Sequence, residues 1–472
     1  MIEQKDKGRL QALKSPAAFI LLLVSVTCLL AACSAPTPVA TQPPAATTVP
    51  TATSVPTATP LPTLTPVPTA MPGGLYVDPS IALGPISPYV YGTNADSPSM
   101  FIPLEMRPQI KAAKLSFFSF PGGNIGDQRY IEEWELDSFV AFCREIGAEP
   151  RIVTRLLGGS PDKAAALVKY ANITKGYQVR YWSIGNEPSL YGKDYTTEIF
   201  NKEWRQWADA MRAVDPSIIL LGPELHQFSA DLAGNPKDSA GRDWMTEFLK
   251  ANGDKVDIVS FHRYPFPVGG VAPTIDDLRK NTREWDNIIP TVRKIIRETL
   301  GRDLPVAVTE VNSSWAASTG GGEAALDSHY NAIWFADVLG RMIRQGVDYA
   351  AQYDVIGDFG LIDKYNVRPI YYVFPMYTRF GTERIYASSD NPTVSIYAAK
   401  RADGALTLMV INLGSQAAEI KLMLKNISSA NAETWLFDKD HAAVVVAPTP
   451  LSAATNLKLT PESVTLLIVP AR

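Results

Sequence analysis

Between residues 89 and 353 the chain repeats one pattern, a short apolar run followed by a stretch with helical spacing. Eight runs read as strands: Tyr89–Asn94, Leu115–Phe120, Arg151–Thr154, Val179–Ile184, Ile218–Gly222, Ile258–His262, Pro305–Thr309 and Tyr349–Tyr353. Phe200, Trp204, Trp207, Met211 and Val214 recur at i, i+4, i+7, i+11 and i+14, one apolar stripe of a helix. Leu326–Ile343 is a second long helical run. A strand that returns through a helix re-enters its sheet in parallel. Eight such units over about 250 residues are what a closed (β/α)8 barrel requires. A doubly wound open sheet competes with it, but no glycine-rich nucleotide loop follows an early strand.

After Gly381 the helical spacing stops. Thr393–Lys400, Ala405–Asn412, Ala417–Leu424, Glu433–Phe437, Leu457–Leu459 and Val464–Val469 read as short strands, and Asp403-Gly404 as a hairpin turn. The predicted fold class is therefore α/β, a barrel over residues 74–382 with a smaller C-terminal all-β sandwich over 383–472. The strand-like Leu75–Leu83 precedes the barrel and is expected to join the second sheet.

The N-terminal region belongs to neither domain. Lys5, Lys7, Arg9 and Lys14 precede an apolar run from Ala17 to Leu30, which is shorter than the roughly 20 residues of a spanning helix. Leu30-Ala31-Ala32-Cys33 resembles a bacterial lipobox, so residues 1–32 are expected to be a signal peptide and Cys33 the lipidated residue. An uncleaved anchor or an ordinary signal peptide is the alternative. Residues 33–73 are rich in Pro and Thr and carry no charge, as suits an extended tether to a membrane. Of three cysteines only Cys143 then remains, on the apolar face Phe139-Val140-Ala141-Phe142-Cys143, where it fills core volume. A net charge of −4, with no Lys/Arg cluster beside aromatic residues, excludes a nucleic-acid face.

Two glutamates carry the chemistry. Glu187 follows Trp182-Ser183-Ile184-Gly185-Asn186, and Glu310 follows Val306-Ala307-Val308-Thr309. By this count they end the fourth and seventh barrel strands, and barrel enzymes act at the C-terminal ends of their strands. Two carboxyl groups about 5–5.5 Å apart suit a retaining glycosidase: one gives its proton to the leaving oxygen and the other attacks the anomeric carbon. A lone Glu in this setting would more simply form a salt bridge or cap a helix. The pair at two strand ends argues for catalysis.

On these motifs the chain resembles clan A glycoside hydrolases over residues 75–472. That clan carries an Asn-Glu-Pro motif on strand four, here Asn186-Glu187-Pro188, and a nucleophile on strand seven, here Glu310. The resemblance implies that Glu187 is the acid/base, that Glu310 is the nucleophile and that Asn186 binds the sugar 2-hydroxyl. It also implies that His262 and Tyr264, after strand six, reach the site, with Tyr264 donating to the nucleophile. Pro121-Gly122-Gly123-Asn124 resembles a turn of arabinofuranosidase-like members, which places Gly123 and Asn124 against the sugar. Trp315, Tyr353, Trp182 and Trp134 are candidate stacking platforms, although Trp182 suits the core equally and is read as structural. The clan's arginine before the strand-two turn is missing from Phe117-Phe118-Ser119-Phe120, and Arg155 or Arg263 is the expected substitute. Families 44, 51 and 39 share the opening Ile86–Asn94 pattern and the sandwich, and the sequence leaves the choice among them open.

The expectation is a surface-tethered retaining glycoside hydrolase acting on a β-glucan, xyloglucan, xylan or arabinofuranoside. It would work as a monomer on a carbohydrate substrate, with a lipid anchor in the membrane and with no cofactor, metal or nucleic acid. A degenerate barrel that only binds glycans is the alternative. A metal-dependent hydrolase is a third reading, poorly served by four histidines, His226, His262, His329 and His441.

Overall fold

A computed structural model describes residues 72–96, 102–316 and 322–471. The lipidation site at Cys33, the signal peptide and the tether up to residue 71 lie outside the described residues. Among the described residues, no helix is long and apolar enough to cross a membrane.

Strand β1 (Leu75–Pro85) opens the described chain. Eight strands then close a barrel: β2 (Gly92–Asn94), β3 (Phe117–Phe120), β4 (Glu149–Thr154), β5 (Tyr181–Ile184), β6 (Ile219–Leu225), β7 (Ile258–Arg263), β8 (Val306–Val311) and β9 (Tyr349–Gln352). All neighbours are parallel, and β2 pairs with β9 to complete the ring. Each of the eight predicted strands is present, with shifted ends. The first is shortest because Pro88–Val90 forms a 3-10 helix. The fifth runs past its predicted stop at Gly222, through Pro223 to Leu225, with a register shift against β7.

The barrel interior is layered. Phe117, Tyr181, Leu221, Ile258 and Ala307 form a small core of their own at the N-terminal ends of the strands. Tyr89 stacks on Tyr349 at 5.3 Å and Phe117 packs against it at 5.1 Å, so aromatic rings plug that end. Two residues further along, on the same inward face, lie Ser119, Ser183, Ser260 and Thr309, all buried. This middle layer is polar where barrels usually hold branched aliphatics, and it floors the site above it.

Nine strands form the second sheet: β1 with β10 (Glu383–Ser389), β11 (Val394–Lys400), β12 (Leu406–Asn412), β13 (Ala418–Leu424), β14 (Ser429–Phe437), β15 (Val444–Ser452), β16 (Ala454–Leu459) and β17 (Ser463–Val469). One core cluster holds residues from every strand, so the sheet closes over its own inner face. β1 lies between β10 and β13, antiparallel to the first and parallel to the second. Helix His329–Arg344 is buried along almost its whole length, because it packs against the barrel on one side and against β11, β12 and β17 on the other. There Arg341 pairs with Asp337 at 2.9 Å and Tyr397 donates to Asp337 at 2.6 Å.

Candidate active site

Glu187 leaves β5 through Gly185 and Asn186 in a left-handed conformation, φ 50° and ψ 52°. L-residues adopt that region rarely, and such strain is found where the surroundings fix a side chain for a task. Its N–H donates to the carbonyl of Glu224 at 3.0 Å, which ties the loop to β6. Glu310 lies inside β8 and is buried.

The two acids face each other. One carboxylate oxygen of each, together with a ring nitrogen of His262, lies within 4.8 Å of the other two. His262 Nδ1 is 2.9 Å from Glu187 Oε1 and 3.5 Å from Glu310 Oε2. The Tyr264 hydroxyl donates to Glu310 Oε2 at 2.6 Å, and the Gly123 N–H donates to Oε1 at 3.3 Å. Two acids and a histidine are also donors that a metal takes. Here both Glu310 oxygens already accept hydrogen bonds and Nδ1 stands at hydrogen-bond distance from Glu187, so protons satisfy the cluster.

A cavity of about 590 Å³ opens above this cluster, a size suited to a small ligand. Gly123, Asn124, Asn186, Glu187, Tyr264, Glu310, Trp315 and Tyr353 line it, as do Leu190, His226, Gln227 and Phe359. Asn186 Nδ2 donates to Asn124 Oδ1 at 3.2 Å. Trp315 is 57 % exposed at the mouth. The Tyr353 hydroxyl donates to Asp96 Oδ1 at 2.7 Å, which holds its ring in the wall. A side chain on Gly123, at φ 56°, would collide with that hydroxyl. His262 lies beneath the cavity and reaches it only through the two acids.

Two expectations are corrected. Trp182 belongs to the core, as expected, and Trp134 is not a platform of this cavity. Trp182 is fully buried with its N–H on the Val179 carbonyl, and Trp134 sits in the first turn of helix Glu133–Ile146, outside the cavity lining. Neither Arg155 nor Arg263 stands in for the missing arginine. Arg155 donates to the Leu157 carbonyl and lies 5.2 Å from the centre of the Tyr130 ring. Arg263 pairs with Glu284 at 2.5 Å and donates to Gln227 at 2.9 Å. Among the described residues, the ion pairs of Glu187 and Glu310 go to His262 alone.

Three supporting residues were not foreseen. Asp127 accepts the N–H groups of Leu156 at 2.7 Å, Leu157 at 3.1 Å and Asn186 at 2.7 Å, along with the hydroxyl of Tyr191, and so staples three strand-end loops. Glu224, left-handed at φ 55°, and Arg151 form a buried ion pair at 2.8 Å in the polar layer. Burial opposes the charge on Glu224, but Arg151, His262 and Thr309 hold it well below the ordinary carboxylate range. Burial likewise opposes charge on His262, yet Glu310, Glu187 and Glu224 outweigh it and raise the ring to about 10. Burial pushes Glu310 up to about 7, aided by Glu187 and Asp96 and opposed by His262 and Tyr264. The upward shift thus falls on the predicted nucleophile.

Comparison with known proteins agrees with this architecture. The chain is 25 % identical over 275 residues to a β-xylosidase of Geobacillus stearothermophilus, covering 51 % of this chain and 49 % of that one. It is 33 % identical over 104 residues to a probable α-L-arabinofuranosidase C of Aspergillus niger, covering 18 % and 20 %. It therefore spans about half the length of the first relative and a fifth of the second. Among solved structures, an α-L-arabinofuranosidase of Thermotoga maritima superposes with a TM-score of 0.67 at 18 % identity, over 84 % of this chain and 99 % of that one. CelM2, a bifunctional glucanase-xylanase from a metagenome library, gives 0.68 at 20 % identity over 85 % and 100 %. Identities this low establish likeness of fold alone. The model of glycosyl hydrolases family 39 matches residues 172–413, half of the sequence and the span that carries both glutamates, and the chain belongs to that family.

Proposed function

We infer that this protein is a retaining O-glycosyl hydrolase acting by double displacement. The observation that carries the reading is the convergence of Glu187 and Glu310 oxygens within 4.8 Å beneath the cavity. That closeness suits direct attack on an anomeric carbon and favours the narrow separation of a retaining pair over the wider one of an inverting pair. The reactive arrangement has a proton on Glu187 and the charge on Glu310. Glu310 attacks the anomeric carbon while the glycosidic C–O bond breaks and the leaving oxygen takes the proton. Glu187 then removes a proton from water as its oxygen bonds to the anomeric carbon, and the bond to Glu310 breaks to give the free sugar and the Glu310 carboxylate. Asn186, Asn124 and the Gly123 backbone hold the sugar at the reacting end, and the Trp315 ring stacks on the apolar face of a neighbouring unit.

The substrate class is a xylan-type or arabinofuranoside-bearing glycan. The β-xylosidase and arabinofuranosidase relatives support this choice. Purified protein incubated with xylan, arabinan, xyloglucan and mixed-linkage glucan should release reducing ends from the first two. A folded protein that binds one of these glycans and releases nothing would favour the binding-module alternative. The same proposal places the enzyme outside the cytoplasm as a monomer, anchored through lipid on Cys33. Cys33→Ala should move it from the membrane to the soluble fraction, and unchanged fractionation would remove the anchor from the account.

A further inference from the structure

His262 has no exposed surface and bonds to carboxylates through both ring nitrogens, Nδ1 to Glu187 and Nε2 to Glu224 Oε2 at 3.1 Å. A neutral imidazole has one N–H and can donate to only one of them. With Glu187 and Glu224 both ionised, only the imidazolium satisfies both. Glu224 is itself fixed on every side. Thr309 Oγ1 donates to its Oε2 at 2.6 Å, while Ser183 Oγ and Arg151 donate to its Oε1, each at 2.8 Å. Arg151 also reaches Ser119 Oγ at 2.8 Å and Ser183 Oγ at 2.8 Å. The polar middle layer of the barrel therefore has one evident purpose, to hold a buried carboxylate against the far side of His262.

We propose that Glu224 is a positioning residue of the hydrolytic site: by binding Nε2 of His262 it keeps a positive charge in place between Glu187 and Glu310. The proposal rests on the hydrolase reading for its catalytic consequence. Three carboxyls face the ring, Glu187 after β5, Glu224 on β6 and Glu310 on β8, while His226 beyond β6 opposes a positive charge there and the Tyr264 hydroxyl beyond β7 is bonded to Glu310. Arg151 on β4 acts through Glu224. With Glu224 neutral, the Arg151 charge is left without its carboxylate, which further disfavours a second cation next to it. A neutral His262 then withdraws the cation 3.5 Å from Glu310, and ionising the nucleophile becomes harder.

The test is a histidine titration in the full chain. With only four histidines, ring ¹⁵N signals of selectively labelled protein can be assigned by losing one signal in His262→Gln. In wild type, His262 should remain protonated well past neutrality. In Glu224→Gln it should titrate at least about 1 pH unit lower. On a glycan or aryl glycoside that wild type cleaves, kcat should fall about 10- to 100-fold. The acidic limb of kcat/KM should also move to higher pH, which a merely structural role would not cause. If Glu224→Gln does not fold, Glu224→Asp, which retains the charge but withdraws it from Nε2, should lower the His262 titration by less. A folded variant of either kind in which His262 titrates as in wild type overturns the proposal. The titration needs no turnover, so failure of the hydrolase reading would show separately, as a wild-type chain inert on every glycan.

Discussion

The Tyr264 hydroxyl lies 2.6 Å from Glu310 Oε2 and donates to it, so it serves the ionised form of that carboxyl. Burial raises Glu310 to about 7, and this hydrogen bond, like the His262 charge, pulls it down. Attack on carbon requires the anion. The acidic limb of kcat/KM in wild type is therefore expected near neutrality, above the usual carboxylate range. In Tyr264→Phe it should move higher still, with activity at pH 6 reduced about tenfold. A pH–rate profile of both proteins decides the matter, and superimposable limbs would remove Tyr264 from this role.

Glu187 is expected to matter in proportion to how badly the leaving group needs a proton. Glu187→Ala should hydrolyse dinitrophenyl glycosides within about tenfold of wild type in the first step, and lose on the order of 1000-fold on an unactivated glycoside. Single-turnover rates for the two substrates measure this. Equal losses would mean that Glu187 does not act as an acid.

His262 binds its proton more tightly in the folded chain than its ordinary value of 6.5 allows, since its folded value is about 10. Its contribution to stability is complete below about pH 6.5 and is lost as pH rises through about 10. The urea midpoint of wild type should therefore fall across that window. In His262→Gln the fall should be shallower. Equal slopes would place the positive charge elsewhere.

Gly340 faces the Tyr397 ring and the Tyr377 hydroxyl where helix His329–Arg344 meets the second sheet, and a Cβ there would overlap both. Neither ring can retreat freely, because the Tyr377 hydroxyl donates to the Ala336 carbonyl at 2.7 Å and Tyr397 is held by Asp337. Gly340→Ala should destabilise the protein by about 1–3 kcal/mol, read as a lower midpoint in urea. A midpoint equal to that of wild type would show that the junction yields.

The eight barrel strands were legible because a buried parallel strand is a continuous apolar run, and such runs stand out between amphipathic helices. Glu187 and Glu310 were legible because strand ends are where barrels place chemistry. Glu224 was not, since Pro223 marks a stop in a reading by propensity, while the real strand passes through it with a register shift. Its partners left a fainter signal. Ser119, Ser183, Ser260 and Thr309 each follow an inward-facing residue by two positions, a polar period that only a known strand register turns into a layer. Asp127, three residues beyond the Pro121-Gly122-Gly123-Asn124 turn, was not legible because its bonds run to loops of two other barrel units. β15 escaped for another reason: Val444, Val445 and their neighbours are largely exposed and lack the apolar alternation that marks a half-buried strand.

Double displacement depends most on Glu310 forming a bond to the sugar. A 2-deoxy-2-fluoro glycoside of xylose or arabinose with a dinitrophenolate leaving group slows the second step more than the first, and peptide mass spectrometry then locates the attached sugar. The predicted result is one fluoroglycosyl group on the peptide that contains Glu310, absent in Glu310→Gln. Attachment at another residue, or turnover of natural substrate with inversion and no adduct, would contradict it.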